Sequence, residues 1–195
     1  MCGRYNLSAP TSQVIEQFEL YREEKIIREK YVPLGEIYPT RPAPVVLEVD
    51  GQRILKFLNW GFKQDWLGKL TINARSDKLL SSKLWQSVWN RGRCLVPANS
   101  FYEWKGEKQK SRERFTIGPR DPSHLWAFAG LIIQDSFVII TNNANPSMLQ
   151  IHHRQPALVL PEKWDFWLNP ESSYPESAIY VFSAGEMLAS GNFLF

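Results

Sequence analysis

Apolar residues in this chain occur mainly in short runs bounded by glycine, proline and polar residues, a pattern that predicts strands more often than helices. The Asp50–Gly51 dipeptide separates the first two of these runs and predicts the tight turn of a β-hairpin. The predicted strands are Val45–Val49, Arg53–Trp60, Cys94–Val96, Phe101–Trp104, Arg114–Ile117, Leu125–Ile133, Phe137–Thr141, Ala157–Leu160 and Ala178–Phe182.

Helical spacing of apolar residues is confined to a few segments of the chain. The predicted helices are Ser8–Leu20, Lys78–Arg91 and Pro161–Leu168. The charged segment Tyr21–Lys30 either continues the first helix or forms an excursion, and the proline-punctuated Tyr31–Pro44 is expected to run extended. Many short strands with few helices predict an α+β fold with a mainly antiparallel, barrel-like β-sheet and flanking helices. We expect a single domain over residues 1–195.

Composition argues against several classes of protein. The cysteines, Cys2 and Cys94, are too few for a disulfide framework and lack zinc-site spacing, so we expect reduced thiols and no metal or other cofactor. The longest apolar run is far shorter than the ~20 residues of a membrane-spanning helix, and the N-terminal residues lack a signal-peptide core. A cytoplasmic monomer is therefore expected. Its formal charge of +3 permits an anionic partner without demonstrating one.

Cys2 lies where a thiol can have a reactivity that internal cysteines lack. Aminopeptidases that remove an initiator methionine accept cysteine at the second position, and removal of Met1 would place a free α-amine beside the thiol. An amine with a pKa of about 7.7–8.0 is partly neutral at physiological pH and attacks an aldehyde to form a Schiff base. The thiol then closes a five-membered thiazolidine ring. By its position alone, Cys2 is better explained as an incidental cysteine.

Other polar residues are candidates for chemistry as well. Asn73 and Arg75 lie two residues apart on an extended segment, so both project from one face, where arginine can bind phosphate. Glu103 lies within an aromatic stretch, where burial would raise the pKa of its carboxyl and make it a general acid or base. His152 and His153 are adjacent and face different ways, so at most one is expected to be functional. Each residue alone is also compatible with an ordinary structural role.

Aromatic and basic residues suggest a path for single-stranded nucleic acid. They are Arg4 near the start of the chain, Arg41 within Pro39–Pro42, and Trp60 with Gly61. Proteins bind single strands by stacking bases on aromatic rings and by placing arginines along the phosphates. Most of the eight tryptophans are expected in the core, so this indication is weak by itself.

Taken together, these segments form an ordered set of motifs over residues 2 to about 168. In chain order they are MCGRY, PTRPAPVV, a Trp-Gly pair, INARSD, RCLVPANSFYEW, FAGL, TNNAN and IHHRQPALVLPEKWDFWL. This order closely resembles the SOS-response-associated peptidase (SRAP) family of abasic-site processing proteins. Members of that family bind single-stranded DNA and form a covalent thiazolidine between their N-terminal cysteine and the aldehyde of an abasic site.

The resemblance implies a role for each candidate residue. Cys2 would be the crosslinking nucleophile, with Asn73 beside it. Glu103 would be the acid/base of ring opening and closure, and His152 would complete this proton transfer and assist reversal. The implied DNA-binding residues are Arg4, Arg41, Trp60, Gly61 and Arg75. The implied partner is single-stranded DNA containing abasic sites, and the implied peptidase activity is self-removal of Met1.

Other functions remain open at this point. In one, Cys2 and His152 form the thiolate–imidazole pair of a cysteine hydrolase. In another, the protein binds single-stranded DNA without any covalent step, and within the main interpretation a Schiff base could also lead to strand scission. The chain departs from the family pattern at Asn99–Ser100 and at His153 and Gln155, where local positioning rather than the reaction would be affected.

Overall fold

A computed structural model describes residues 2–20, 35–63, 68–106, 113–173 and 175–190 of the chain. The segment Tyr21–Lys30, for which the sequence left a continued helix and an excursion open, lies outside these residues. The strands found within them are β1 Tyr5–Leu7, β2 Gly35–Ile37, β3 Pro42–Val49, β4 Gln52–Trp60, β5 Phe62–Lys63, β6 Leu70–Thr71, β7 Asn73–Arg75, β8 Arg93–Ala98, β9 Ser100–Lys105, β10 Glu113–Pro119, β11 Trp126–Ile133, β12 Ser136–Asn143, β13 Arg154–Pro156, β14 Leu158–Val159, β15 Ile179–Tyr180 and β16 Met187–Ser190. The α-helices within them are α1 Thr11–Phe18, α2 Lys83–Trp89 and α3 Trp164–Leu168.

One antiparallel sheet of the described residues has the strand order β16–β10–β9–β1–β2. Within it, Tyr5 of β1 pairs with Phe101 of β9 on one side and with Ile37 of β2 on the other. Because β1 and β9 run in opposite directions, the residues before Tyr5 lie alongside those after Phe101. The N-terminal residues are thereby brought next to the part of β9 that carries Glu103.

The larger sheet of the described residues closes on itself like a ring. Its order is β13–β12–β4–β3–β8–β11–β14–β15, and an additional pairing of β11 with β12 closes the ring. Most pairs are antiparallel, whereas β12 runs parallel to β4 and to β7. The helices α2 and α3 pack against β11 and β8 respectively. The α+β prediction is confirmed.

Several helix ends differ from the prediction for local reasons. The helix predicted from Lys78 begins at Lys83 because Ser76–Lys78 forms a 3₁₀ turn instead. The first helix starts after Pro10, whose extended backbone takes the N-cap position, and ends at Glu19, which has a left-handed φ of 57°. No helix within the described residues is long and apolar enough to cross a membrane.

The core beneath both sheets is rich in aromatic rings. Tyr5 lies edge-to-face against Trp60, with ring centroids 5.2 Å apart, and against Phe128 at 6.1 Å. Phe101 of β9 also contacts Phe128 edge-to-face, so the two sheets share one aromatic cluster. Edge-to-face pairs of this kind add about 0.5–1.5 kcal/mol each beyond the burial of their area. This cluster fixes β1 and β9 relative to the ring.

Candidate active site and nucleic-acid interface

Cys2 is buried and lies three residues before the start of β1. Its backbone carbonyl accepts a hydrogen bond from Asn73 Nδ2 at 3.0 Å, and its thiol lies 3.7 Å from the carbonyl oxygen of Arg4. Burial raises the pKa of the Cys2 thiol well above its usual range, and the nearby charge of Glu103 raises it further. The sulfur is therefore held as a neutral thiol within electrostatic reach of Glu103.

Asn73 is positioned by the parallel pairing of β7 with β12. In this pairing Asn73 lies opposite Ile139, and the next residue, Ala74, is buried in the core. The side-chain Oδ1 of Asn73 is buried and accepts no hydrogen bond from the described residues. Buried acceptors are nearly always satisfied. This oxygen is therefore available to a hydroxyl group of a ligand placed beside Cys2.

Glu103 is a carboxylate enclosed by the sheet. It lies on β9, has an exposed fraction of 3%, and pairs with Phe115 of β10. Burial raises the pKa of the Glu103 carboxyl because the charged form loses its hydration. Strand alternation could have directed this side chain either to the core or to solvent, and the structure has it buried, so the group can hold a proton at a higher pH than an exposed glutamate.

His152 follows a 3₁₀ turn at Met148–Gln150 and faces the carboxylate. Its Nδ1 lies 4.0 Å from Glu103 Oε1. The backbone nitrogen of Arg154 lies 3.0 Å from Nδ1 and the carbonyl oxygen of Arg154 lies 3.2 Å from it, so the backbone of Arg154 fixes the orientation of the ring. Burial lowers the pKa of His152 to about 4. At neutral pH the ring is therefore uncharged, and it stacks on the exposed ring of His153 at 4.3 Å.

Arg75 lies at the surface beside this group of residues. Its Nε and Nη2 donate to the two carboxylate oxygens of Asp77 at 3.1 and 2.7 Å. The hydrogen bond from Arg75 holds the pKa of Asp77 below its usual range. Asp77 in turn lies 3.4 Å from Nη1 of Arg154, which is 3% exposed. Neither Arg154 nor Asp77 was predicted as a site residue, although both stand inside the quoted motifs.

Arg4 and Arg41 lie at another part of the surface. Arg4 Nη1 is 3.2 Å from Glu36 Oε1, and its guanidinium lies over the rings of Tyr38 at 4.5 Å and Trp104 at 5.0 Å. Arg41 lines a cavity of about 380 Å³. Among the described residues, Glu36, Ile37, Tyr38 and Pro42 also line this cavity. A cation flanked by aromatic rings suits the stacking and phosphate contacts of a single strand.

Trp60 and Gly61 are both buried, unlike the arginines. The indole of Trp60 is fully enclosed and donates from Nε1 to the carbonyl of Ile72 at 3.0 Å. Gly61 has a φ of 93°, and a Cβ there would lie 2.8 Å from Ile72 Cγ2. The ring of Trp60 therefore cannot stack on a base in this structure. Both residues instead fix Ile72, the residue before Asn73.

The chain has clear similarity to proteins of known family. Residues 1–188 match the SOS response associated peptidase (SRAP) family. The chain is 31% identical to the abasic site processing protein YoqW of Bacillus subtilis, over 97% of this chain and 91% of that protein. It is 29% identical to the abasic site processing protein YedK of Escherichia coli, over 98% of this chain and 86% of that protein. Identity to the abasic site processing protein HMCES of Gallus gallus is 26%, over 84% and 65% respectively.

Solved structures of two bacterial proteins have the same fold. A protein from Bacteroides thetaiotaomicron superposes with a TM-score of 0.77 at 22% identity, covering 96% of this chain and 90% of that one. A protein from Bordetella bronchiseptica gives a TM-score of 0.78 at 17% identity, covering 99% of this chain and 100% of that one. At these identities the likeness concerns the fold alone.

Proposed function

This chain belongs to the SOS response associated peptidase (SRAP) family, and from that premise we propose that it processes abasic sites in single-stranded DNA. The proposed product is a covalent thiazolidine between the lesion and Cys2, formed once Met1 has been removed. This product shields the lesion from strand cleavage. The names of YoqW and YedK, which match nearly the whole chain, support this substrate class.

The observation that carries the proposal is the convergence of four chemically different side chains. Thiol, amide, carboxyl and imidazole come from Cys2, Asn73, Glu103 and His152, which are far apart in sequence. Asn73 bonds the backbone of Cys2, the charge of Glu103 acts on the Cys2 thiol, and His152 lies 4.0 Å from Glu103. Structural cores rarely enclose such a set without a function, because each buried polar group has a desolvation cost.

The proposed reaction joins an aldehyde to the aminothiol of the processed N-terminus. The neutral α-amine of Cys2 adds to the aldehyde carbon of the ring-opened abasic sugar, and loss of one water gives an imine. The sulfur then adds to the imine carbon while the thiol proton moves to the nitrogen, which closes the thiazolidine. The overall change is the loss of one water. No oxidant or reductant is needed.

Glu103 and His152 supply the proton transfers in this scheme. Glu103, whose pKa burial raises, donates a proton to the departing hydroxyl of the carbinolamine. His152 is neutral at physiological pH because its pKa is about 4, so it can accept a proton and return it. The buried Oδ1 of Asn73 accepts a hydrogen bond from a hydroxyl of the opened sugar.

The arginines orient the strand in this proposal. Arg75 binds a phosphate next to the lesion, and Arg4 and Arg41 bind phosphates further along the surface. Because these contacts replace condensed counterions, binding weakens as salt concentration rises. Trp60 and Gly61 contribute by fixing the Ile72–Asn73 backbone rather than by contacting bases.

The electrostatics favour aldehyde chemistry over a cysteine hydrolase. A thiolate–imidazolium pair needs a lowered cysteine pKa and a raised histidine pKa. Here burial raises the pKa of Cys2 and lowers that of His152, so the neutral forms of both side chains are favoured. A neutral thiol beside a neutral amine suits imine formation and ring closure.

The experiment uses a single-stranded oligonucleotide in which uracil glycosylase has converted one uracil to an abasic site. Protein whose Met1 removal is verified by intact mass is mixed with this DNA and run on a denaturing gel after heating. We expect a heat-stable shifted band with abasic DNA and none with undamaged DNA. Cys2→Ala should abolish the band, and Glu103→Gln should slow its formation by about 10²–10⁴-fold.

Cys94→Ala is the matched control for the loss of a thiol. Cys94 is also buried, but it lies inside β8 and has no free amine beside it. The crosslink should persist in this variant. Processed wild-type protein that yields no crosslink would overturn the proposal, and retention of binding by that protein would identify a non-covalent DNA-binding module.

A further inference from the structure

A second arginine lies beside Arg4 on the outer face of the five-stranded sheet. Tyr5 and Phe101 point into the core, so their neighbours Arg4, Tyr102 and Trp104 project from the opposite face. Arg114 of β10 pairs with Trp104 in register, and its side chain joins the same face. The guanidinium of Arg114 lies 3.9 Å above the ring of Tyr102.

Both arginines converge on one carboxylate oxygen. Glu36 Oε1 is 3.2 Å from Arg4 Nη1 and 3.0 Å from Arg114 Nη2. The side chains are 32% exposed at Arg4, 41% at Arg114 and 25% at Glu36, so the cluster is open to a ligand. Each guanidinium has five N–H donors. Because the two arginines share a single oxygen of Glu36, most of these donors do not bind that oxygen.

The charges of the cluster do not cancel. Two guanidinium groups face one carboxylate, which leaves an excess of one positive charge on this part of the sheet. Aromatic rings hold each guanidinium flat, so little side-chain entropy remains to be lost when an anion binds. A tetrahedral anion with one negative charge, such as a phosphodiester, matches this spacing of donors and this net charge.

We propose that Arg4 and Arg114 form a phosphate subsite for the single strand outside the crosslinking centre, with Glu36 as the internal counter-ion that it displaces or shares. The inference rests on the proposed function and adds Arg114 and Glu36 to the DNA path. Glu36 and Tyr38 also line the cavity beside Arg41, so the surface is continuous from Arg41 through Arg4 to Arg114.

The test measures binding of a fluorescent, undamaged single strand by anisotropy across a series of salt concentrations. No crosslink forms with this DNA, so the readout is independent of Cys2 chemistry. Arg114→Gln should weaken binding by about two- to fivefold, as expected for a partly exposed ion pair. It should also reduce the slope of log affinity against log salt by about 0.7, the value for one phosphate contact on a single strand.

Arg120→Gln is the matched control, because it makes the same change in charge. Arg120 lies six residues beyond Arg114, or about 20 Å further along the strand direction. Its Nε donates to the carbonyl of Gly185, a bond that glutamine can replace. Affinity and salt slope should stay near the wild-type values. Arg114→Lys should recover the slope, which separates loss of charge from damage to the sheet.

Glu36→Gln tests whether the carboxylate of Glu36 is a counter-ion that competes with the phosphate or only holds the two arginines in place. Removal of its charge should tighten binding by about two- to fivefold, the opposite sign to Arg114→Gln. The inference is overturned if Arg114→Gln binds with the wild-type affinity and slope, or if Glu36→Gln weakens binding as Arg114→Gln does.

The crosslinking assay separates this inference from the proposed function. A wild-type protein that neither binds nor crosslinks single strands would overturn both proposals. A wild-type protein that crosslinks, with Arg114→Gln unchanged in binding, would overturn the phosphate subsite alone.

Discussion

His152 makes the stability of the protein depend on pH. One fifth of its side chain is exposed, and burial lowers its pKa to about 4, whereas the same imidazole in the unfolded chain has a pKa of about 6.5. As the pH falls through this interval, the unfolded state takes up a proton that the folded state resists. The contribution of the neutral His152 to stability is therefore fully present above pH ~6.5 and is lost progressively as the pH falls toward ~4.

His152→Gln should remove this pH dependence. When the pH is lowered from ~7.5 to ~4.5, the free energy of unfolding of the wild type should fall by about 1–2 kcal/mol more than that of the variant. This value is smaller than the full pKa shift implies, because solvent screens the partly exposed ring. Urea unfolding at both pH values measures the difference. His124→Gln removes an exposed imidazole and serves as the control. An equal effect of His152→Gln at both pH values would contradict the prediction.

The residue types of the site could be predicted from the sequence, but their exposure could not. Cys2, Glu103 and His152 attract attention because thiol, carboxyl and imidazole groups have recognisable chemistry. Trp60 looked equally suitable for stacking, yet its indole is enclosed and bonds Ile72. A tryptophan at the end of a strand contacts either solvent or core, and tertiary packing decides between these positions.

The segment between β12 and β13 carries His152 and is fastened by a buried amide. Asn145 Nδ2 donates to the carbonyl of Phe182 at 2.7 Å, and Asn145 Oδ1 accepts from the backbone N–H of Met148 at 2.8 Å. The backbone N–H of Asn145 donates to the side chain of Gln155. The C-terminal part of the described chain therefore braces the turn that presents the imidazole.

Asn145→Ala should weaken both the fold and the reaction. Loss of these buried hydrogen bonds should lower the free energy of unfolding by about 1–3 kcal/mol, because the N–H of Met148 loses its partner and the carbonyl of Phe182 keeps only the longer bond from Gln155. Displacement of the turn by about 1 Å would lower the crosslinking rate by as much as about 10²-fold. Denaturant unfolding and the gel assay measure the two effects.

Asn142→Ala is the control for this element. Asn142 donates to the carbonyl of Tyr180 at 3.4 Å, so it also fastens the C-terminal part of the described chain, but it does not bond the turn. It should lower stability without a comparable loss of crosslinking rate. Equal crosslinking by Asn145→Ala and wild type would contradict a positioning role for the buried amide.

At the scale of the whole molecule, the sequence predicts local structure better than it predicts which distant strands pair. Hairpins such as β3 with β4 follow from neighbouring strands and the turn at Asp50–Gly51. The pairing of β12 with β4 and β7 joins segments distant in sequence and decides where Asn73 lies. Short strands such as β1 and β13 escape prediction because they are too brief for a periodic pattern.

The two sheets, rather than the helices, should therefore determine the geometry of the site. The helices α1 and α3 meet on the far end of β4, where the buried ring of Phe18 stacks on Trp164 at 4.7 Å. Arg53 lies over Trp164 and pairs with Asp165 at 2.6 Å. Since Arg53 and Trp60 are seven residues apart on β4, this cluster lies about 20 Å from Trp60 along the strand.

Phe18→Ala tests whether stability and geometry can be separated. The cavity should lower the free energy of unfolding by about 3–5 kcal/mol and the midpoint of thermal unfolding by about 6–20 °C. Below that midpoint, the crosslinking rate should stay within about twofold of wild type, because β1, which follows Cys2, and the strands that carry Asn73 and Glu103 keep their register. Thermal unfolding and the gel assay at low temperature provide both values. A loss of rate as large as that expected for Asn145→Ala would mean that the helices, and not the sheet alone, hold the reacting groups in place.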